Sequence, residues 1–173
     1  GIGPKTARDI VDYFGTETLK IMENEPEKLI LVPGIGKAKA EMISKSYAEV
    51  AALRQDTMFL QSLGLGNNMC ARIIKAYGSG VQMRVKANPY ALIDDVDGIG
   101  FRTADSIAAS LGIAKMDPYR ISGGLIYLLK EAEGEGHVFL PLDELIIRGA
   151  ALLGVEQDSV RERIADDVLL GKL

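Results

Sequence analysis

Residues 32–43 read VPGIGKAKAEMI. Gly34 and Gly36 bracket Ile35, and a run of strong helix formers carrying Lys37 and Lys39 follows at once. So tight a turn at a helix start leaves backbone N–H groups unpaired and pointing outward, which suits a phosphate. Two nucleotide-binding signatures fail at this stretch. A dinucleotide fingerprint needs a preceding strand and a third small residue, but residue 39 is lysine and no alternating β-branched run precedes Gly34. A phosphate loop around Gly36 and Lys37 needs glycine where Leu31 stands and Ser or Thr where Ala38 stands.

The stretch recurs. Aligned on the first glycine, the chain holds GIGPKTARDI from Gly1, GIGKAKAEMI from Gly34, GLGNNMCARI from Gly64 and GIGFRTADSI from Gly98. The residue between the glycines is always apolar: Ile2, Ile35, Leu65 and Ile99. Six residues after the first glycine stands a small residue: Ala7, Ala40, Cys70 or Ala104. Nine residues after it stands isoleucine each time: Ile10, Ile43, Ile73 and Ile107. These spacings predict a short hairpin between two helices, with the small residue and the isoleucine on the buried face of the second. PEKLILV, DTMFLQSL and NPYALIDDV are predicted as the leading helices of the last three copies. The first copy has none, and the chain opens on Gly1, inside the motif, as an excised piece of a longer protein would.

Composition sets the other bounds. The 173 residues are 47% apolar and 25% charged, the balance of a folded chain rather than a disordered one. A single cysteine excludes a disulfide framework and fits a reducing, cytoplasmic setting. No apolar run approaches the ~20 residues of a membrane span, and no signal peptide opens the chain. The formal charge of −4 is unevenly placed. Residues 1–116 carry 14 Lys/Arg against 13 Asp/Glu, and residues 117–173 carry 6 against 11. Phosphate binding is therefore allowed in the first two-thirds and disfavoured in the last.

The four copies closely resemble the helix-hairpin-helix family, in which hairpin amides and flanking cations hold a DNA phosphate without regard to sequence. Pairs of copies resemble that family's tandem domain, predicted over 1–56 and 57–116. The phosphate-binding candidates, transferred by position, are Gly34, Ile35, Gly36, Lys37 and Lys39 in the second hairpin, and Gly1, Gly3, Lys5 and Arg8 in the first. Gly64, Gly66, Asn67 and Asn68 follow in the third. The ranking runs in that order. The fourth hairpin offers Arg102, but Asp94, Asp95 and Asp97 lead into it and repel a phosphate, so it is expected to be mainly structural.

Residues 117–173 change character. ISGGLIYLLKEAEGEG, LDELIIRGAALLG and EQDSVRERIADDVLLGKL have helical spacing, and HVFLP is a short strand candidate, together a small winged-helix-like bundle. The predicted class is all-α with a minor β element. Cys70 fills a packing slot as an inert thiol, His137 lacks metal-ligating partners, and Asp166 and Asp167 look like a solvated helix face. Tandem hairpins followed by YLLKEAEGEGHVFLPLDELI, then LLGV, resemble the region upstream of the motor in RecD/TraA-type DNA helicases.

That resemblance implies a non-catalytic region of an ATP-dependent 5′-to-3′ helicase, with ATP and Mg held only in a helicase core beyond this chain. Expected partners are single-stranded or forked DNA, the core itself or a repair protein, in DNA repair or recombination; no membrane is expected. A protein-docking scaffold is the alternative. A helix-hairpin-helix DNA glycosylase is weaker, because the chain has no tryptophan and few aromatics to stack a flipped base. No cofactor or metal site and no nucleophile–base pair can be assembled from the residues. The purified chain should neither turn over ATP nor cut DNA; DNA-stimulated phosphate release, with a contaminating motor excluded, would contradict this.

Overall fold

The computed structural model describes residues 3–171 and 173. Among the described residues ten α-helices follow one another: α1 (Pro4–Phe14), α2 (Thr18–Asn24), α3 (Lys37–Ser62), α4 (Asn67–Tyr77), α5 (Val81–Ala87), α6 (Leu92–Asp95), α7 (Phe101–Ser110), α8 (Pro118–Gly134), α9 (Leu142–Leu153) and α10 (Gln157–Leu169). Short 3-10 turns over Gly15–Glu17, Pro26–Leu31, Gly78–Gly80 and Pro89–Ala91 join some of them. The fold is all-α, with tandem helix-hairpin-helix units and a helical bundle after them.

Three local expectations need correction. The strand candidate HVFLP is irregular backbone, and the described residues contain no strand. Val138 and Phe139 protrude into solvent there, so no neighbouring strand is available to pair with them, and Pro141 caps α9 instead. DTMFLQSL is not a separate helix but the end of α3, which runs unbroken from Lys37 because neither Gly nor Pro interrupts it. PEKLIL is a 3-10 turn rather than an α-helix.

The chain divides into two compact units, residues 1–58 and 59–173. In the first, Ile10, Leu29, Val32, Ile35, Ala40 and Ile43 make a small core, with Phe14 and Met22 packed on it. In the second, a larger core runs from Leu60 through Ile73 and Ile107 into α8, α9 and α10, as far as Ile164. All four registered isoleucines are buried, at 2%, 1%, 0% and 1% exposure in chain order. The small-residue slot is buried at Ala40, Cys70 and Ala104. Ala7 is the exception and is exposed. Burial raises the pKa of the Cys70 thiol, and its Sγ–H points at the Leu65 carbonyl.

Backbone conformation repeats at a longer interval as well. Gly15 and Gly78 end α1 and α4 in nearly the same unusual conformation, φ 52° and ψ −127° against φ 57° and ψ −135°. Pro26 and Pro89 then open equivalent 3-10 turns. The first tandem pair and the second are therefore copies of one plan, both in their hairpins and in the segments between them.

Asp167 overturns the solvated-face expectation. It is fully buried on α10, where it accepts a 2.5 Å hydrogen bond from the Ser122 hydroxyl of α8 and is clasped by Arg163. Asp166 beside it remains exposed. A second polar tie fastens the fourth hairpin's helix to the bundle. Arg120 donates to both Asp105 oxygens, at 2.8 and 3.1 Å, and to the carbonyls of Lys115 and Leu153, while Tyr90 donates to Asp105 at 2.6 Å. Burial pushes the Asp105 carboxyl upward, but the Arg120 and Tyr90 hydrogen bonds outweigh it and hold the pKa below its ordinary value.

Candidate nucleic-acid interface

The second, third and fourth hairpins share one backbone. Their first glycines, Gly34, Gly64 and Gly98, sit at φ +84°, +86° and +85°, a region only glycine enters freely. The apolar residue that follows turns inward: Ile35 and Ile99 are buried and Leu65 packs against the core. The second glycine then begins the helix. Gly3, Gly66 and Gly100 cap α1, α4 and α7 in extended conformation, with no side chain bonded to the helix amides. Gly36 accepts from Ala40 N–H at 2.9 Å, which opens α3 in the same way. A serine or aspartate at these positions would occupy a first-turn N–H with its own oxygen; glycine leaves those donors open.

Side chains around the amides differ from copy to copy. Lys37 and Lys39 are exposed on the first turn of α3 and form no ion pair among the described residues. Lys5 and Arg8 are exposed on α1 in the same sense, with Pro4 at the first helical position. Gly3 stands at the cap; Gly1, also expected to contact phosphate, lies outside the described residues. Asn67 and Asn68 are exposed on α4, and the Asn67 side-chain oxygen accepts from Gln61 at 2.7 Å, which leaves its NH2 group to donate.

Arg72 stands apart from that set. It reaches the fourth hairpin and donates to the Asp97 carbonyl at 3.1 Å, so close to Gly98 that any Cβ there would meet its guanidinium at 2.9 Å. In the same hairpin Asp94 pairs with Lys130 and Asp95 accepts from Tyr77, while Asp97 keeps an exposed carboxylate beside the turn. Burial, with Asp95 as a second cause, raises the pKa of the Tyr77 hydroxyl.

A fifth hairpin escaped the sequence alignment. Between α9 and α10, Gly154 is left-handed at φ +63°, Val155 follows, and Glu156 caps α10 in extended conformation. Val160 fills the small-residue slot at full burial. Glutamate replaces the second glycine, and Asp158 enters the first turn, so this copy repels what the second attracts. Its only sequence signal was a glycine followed by an apolar residue, Gly154-Val155, ahead of a helical pattern. Among the described residues no group of His, Cys, Asp and Glu could hold a metal ion, and no helix is long and apolar enough to cross a membrane.

Comparison with known proteins agrees with this geometry. Residues 1–49 match the family described as SAM-like helix-hairpin-helix tandem. Residues 49–139, over half of the chain, match the family described as the ATP-dependent RecD2 DNA helicase HHH domain. An ATP-dependent RecD2 DNA helicase of Deinococcus radiodurans is 30% identical over 96% of this chain, which spans 25% of that relative's length. Three glycine-turned hairpins among the described residues, a first helix opened by Gly3 as the others are by their second glycines, a helical bundle after them and these matches together place this chain in the helix-hairpin-helix domain family of the ATP-dependent RecD2 DNA helicases.

Proposed function

We propose that this region is the non-catalytic DNA-contacting part of a cytoplasmic, ATP-dependent 5′-to-3′ helicase acting in DNA repair or recombination, and that its hairpins hold backbone phosphates without reading sequence. One observation carries the proposal. Glycine-capped helix starts leave first-turn amides without a side-chain acceptor, and in the second hairpin they are flanked by two lysines that form no ion pair among the described residues. Amides fixed by the turn supply geometry and the helix dipole supplies sign, while Lys37 and Lys39 add charge. Contacts of this kind carry no base information, so affinity should follow phosphate density.

Reversing both charges, Lys37→Glu with Lys39→Glu, should weaken binding to unrelated DNA sequences about equally. The slope of log affinity against log salt should flatten by about 0.7–0.9 for each phosphate no longer held. Arg102→Glu should do little. Affinities in the non-specific range of roughly 10⁻⁴–10⁻⁶ M put the titration at low salt. Unchanged binding and slope in a folded double variant would make the second hairpin structural. Docking of the motor or a repair partner would then lead, a reading that Val138 and Phe139 favour, since both are exposed on the acidic third of the chain.

A further inference from the structure

The chain has six tyrosines, four phenylalanines and no tryptophan, and four of those ten rings gather at one place. A cleft of about 710 Å³ in the second unit is lined by Tyr90, Phe101, Tyr119 and Tyr127, with Asn88 and the mutually paired Asp94 and Lys130 among the polar groups. The volume falls within the ~300–1,000 Å³ of small-ligand sites. Tyr90 lies on Phe101 with centroids 5.9 Å apart and planes at 23°, and Phe101 lies on Tyr127 at 5.6 Å and 25°. Tyr90 and Phe101 are core residues, whereas Tyr127 is only partly covered and Tyr119 is half exposed. The stack therefore ends at the cleft on Tyr127, and Tyr119 lines the same cleft beside it.

Polar groups around these rings match a nucleotide. Asn88 Oδ1 accepts from Tyr90 N–H at 3.1 Å, which fixes the amide and leaves its NH2 to donate at the cleft wall. Gly100, whose turn opens α7 with no side-chain cap, also lines the cleft, and exposed Arg102 lies two residues on. Flat aromatic surface, an amide donor and phosphate-type N–H groups thus meet at one opening.

We propose that this cleft takes an unstacked base of single-stranded DNA, laid against Tyr127 and Tyr119, with the adjoining phosphate at the backbone N–H groups that follow Gly100. The inference rests on the hairpins facing DNA and assigns the fourth a task that its charge alone does not suggest. By charge it is the poorest phosphate site of the four; by its rings it is the one that holds a base.

Tyrosine emission reports the binding directly, because no tryptophan masks it. An oligothymidylate of about ten nucleotides, within the site sizes of single-strand binders, is compared with an abasic strand of equal length and with thymidine monophosphate. The base-bearing strand should quench emission and bind about fivefold to a hundredfold tighter than the abasic one. Tyr119→Ala and Tyr127→Ala should each shrink that ratio, while Tyr127→Phe, which keeps the ring, should preserve it. Equal binding of the two strands, binding of neither, a ratio unmoved in both folded alanine variants, or monophosphate binding as tight as the oligonucleotide would each overturn the proposal. Lys37→Glu with Lys39→Glu should lower both strands together and leave the ratio intact. If that pair changes nothing while the ratio persists, the second-hairpin contact fails and the cleft stands.

Discussion

Replacing Ile43 with alanine should cost about 2–5 kcal/mol of unfolding free energy, the range for deleting most of a buried aliphatic side chain. Ile43 is 1% exposed in a core of only six buried residues. The first unit has 58 residues, a size at which buried surface only just outweighs chain entropy. A cavity there removes a large share of the unit's stability. Because the chain has two units, unfolding is best followed by amide exchange within residues 3–58, not by one whole-chain midpoint. Ile43→Val should cost about 0.5–1.5 kcal/mol. Ile30→Ala, at a half-exposed site, should stay within about 0.5 kcal/mol of the parent. A near-neutral Ile43→Ala would mean that the nine-residue register does not mark the core.

That register is the part of the fold most legible in the sequence, for a physical reason. A left-handed turn demands glycine, a plug beneath it demands an apolar residue, and a close helix crossing demands a small one. Residues such as Gly34, Ile35 and Ala40 therefore signal position as well as type. Where the second glycine is dispensable the signal fades. Glu156 opens α10 in the same extended conformation, and the alignment passed over that hairpin. The long α3 was split in the reading of DTMFLQSL as a separate helix, although neither Gly nor Pro interrupts residues 37–62. The strand candidate failed because β structure needs a second segment to pair with, a non-local fact that HVFLP does not carry.

The candidate site divides in the same way. Placement of Lys37 and Lys39 beside the hairpin amides followed from local helix geometry. Arg72 did not, since its partner carbonyl on Asp97 lies 25 residues away. The tyrosine cleft was equally hidden, because Tyr90, Phe101, Tyr119 and Tyr127 come from three elements that only the tertiary fold brings together. Few aromatics in the whole chain did not mean few at one place.

Asp167→Ala should destabilise the second unit by about 3–5 kcal/mol, the range for removing one partner of a buried ion pair. The helical period already points to burial: Val160, Ile164 and Asp167 fall at i, i+4 and i+7 and share the inner face of α10. Asp166, one residue earlier, is turned about 100° away and stays in solvent. Removing the Asp167 carboxylate leaves the Arg163 guanidinium, whose side chain is only 14% exposed, with just the solvent-exposed Asp166 at 3.8 Å, and takes from the Ser122 hydroxyl the acceptor that ties α8 to α10. Asp166→Ala should stay within about 0.5 kcal/mol of the parent.

A triple replacement separates lost polar pairing from lost packing. Ser122→Ala, Arg163→Met and Asp167→Leu together leave no buried charge or hydroxyl unpaired, and apolar substitutes for buried ion pairs are often neutral or stabilising. The triple variant should therefore recover most of what Asp167→Ala loses, and coupling of this kind is what neighbours in one network display. If it unfolds as readily as the single variant, the tie between α8 and α10 depends on the fit of these side chains rather than on their charge. If Asp167→Ala alone is near neutral, the carboxylate is not buried in solution, and the inner face of α10 is not the one that packs on α8.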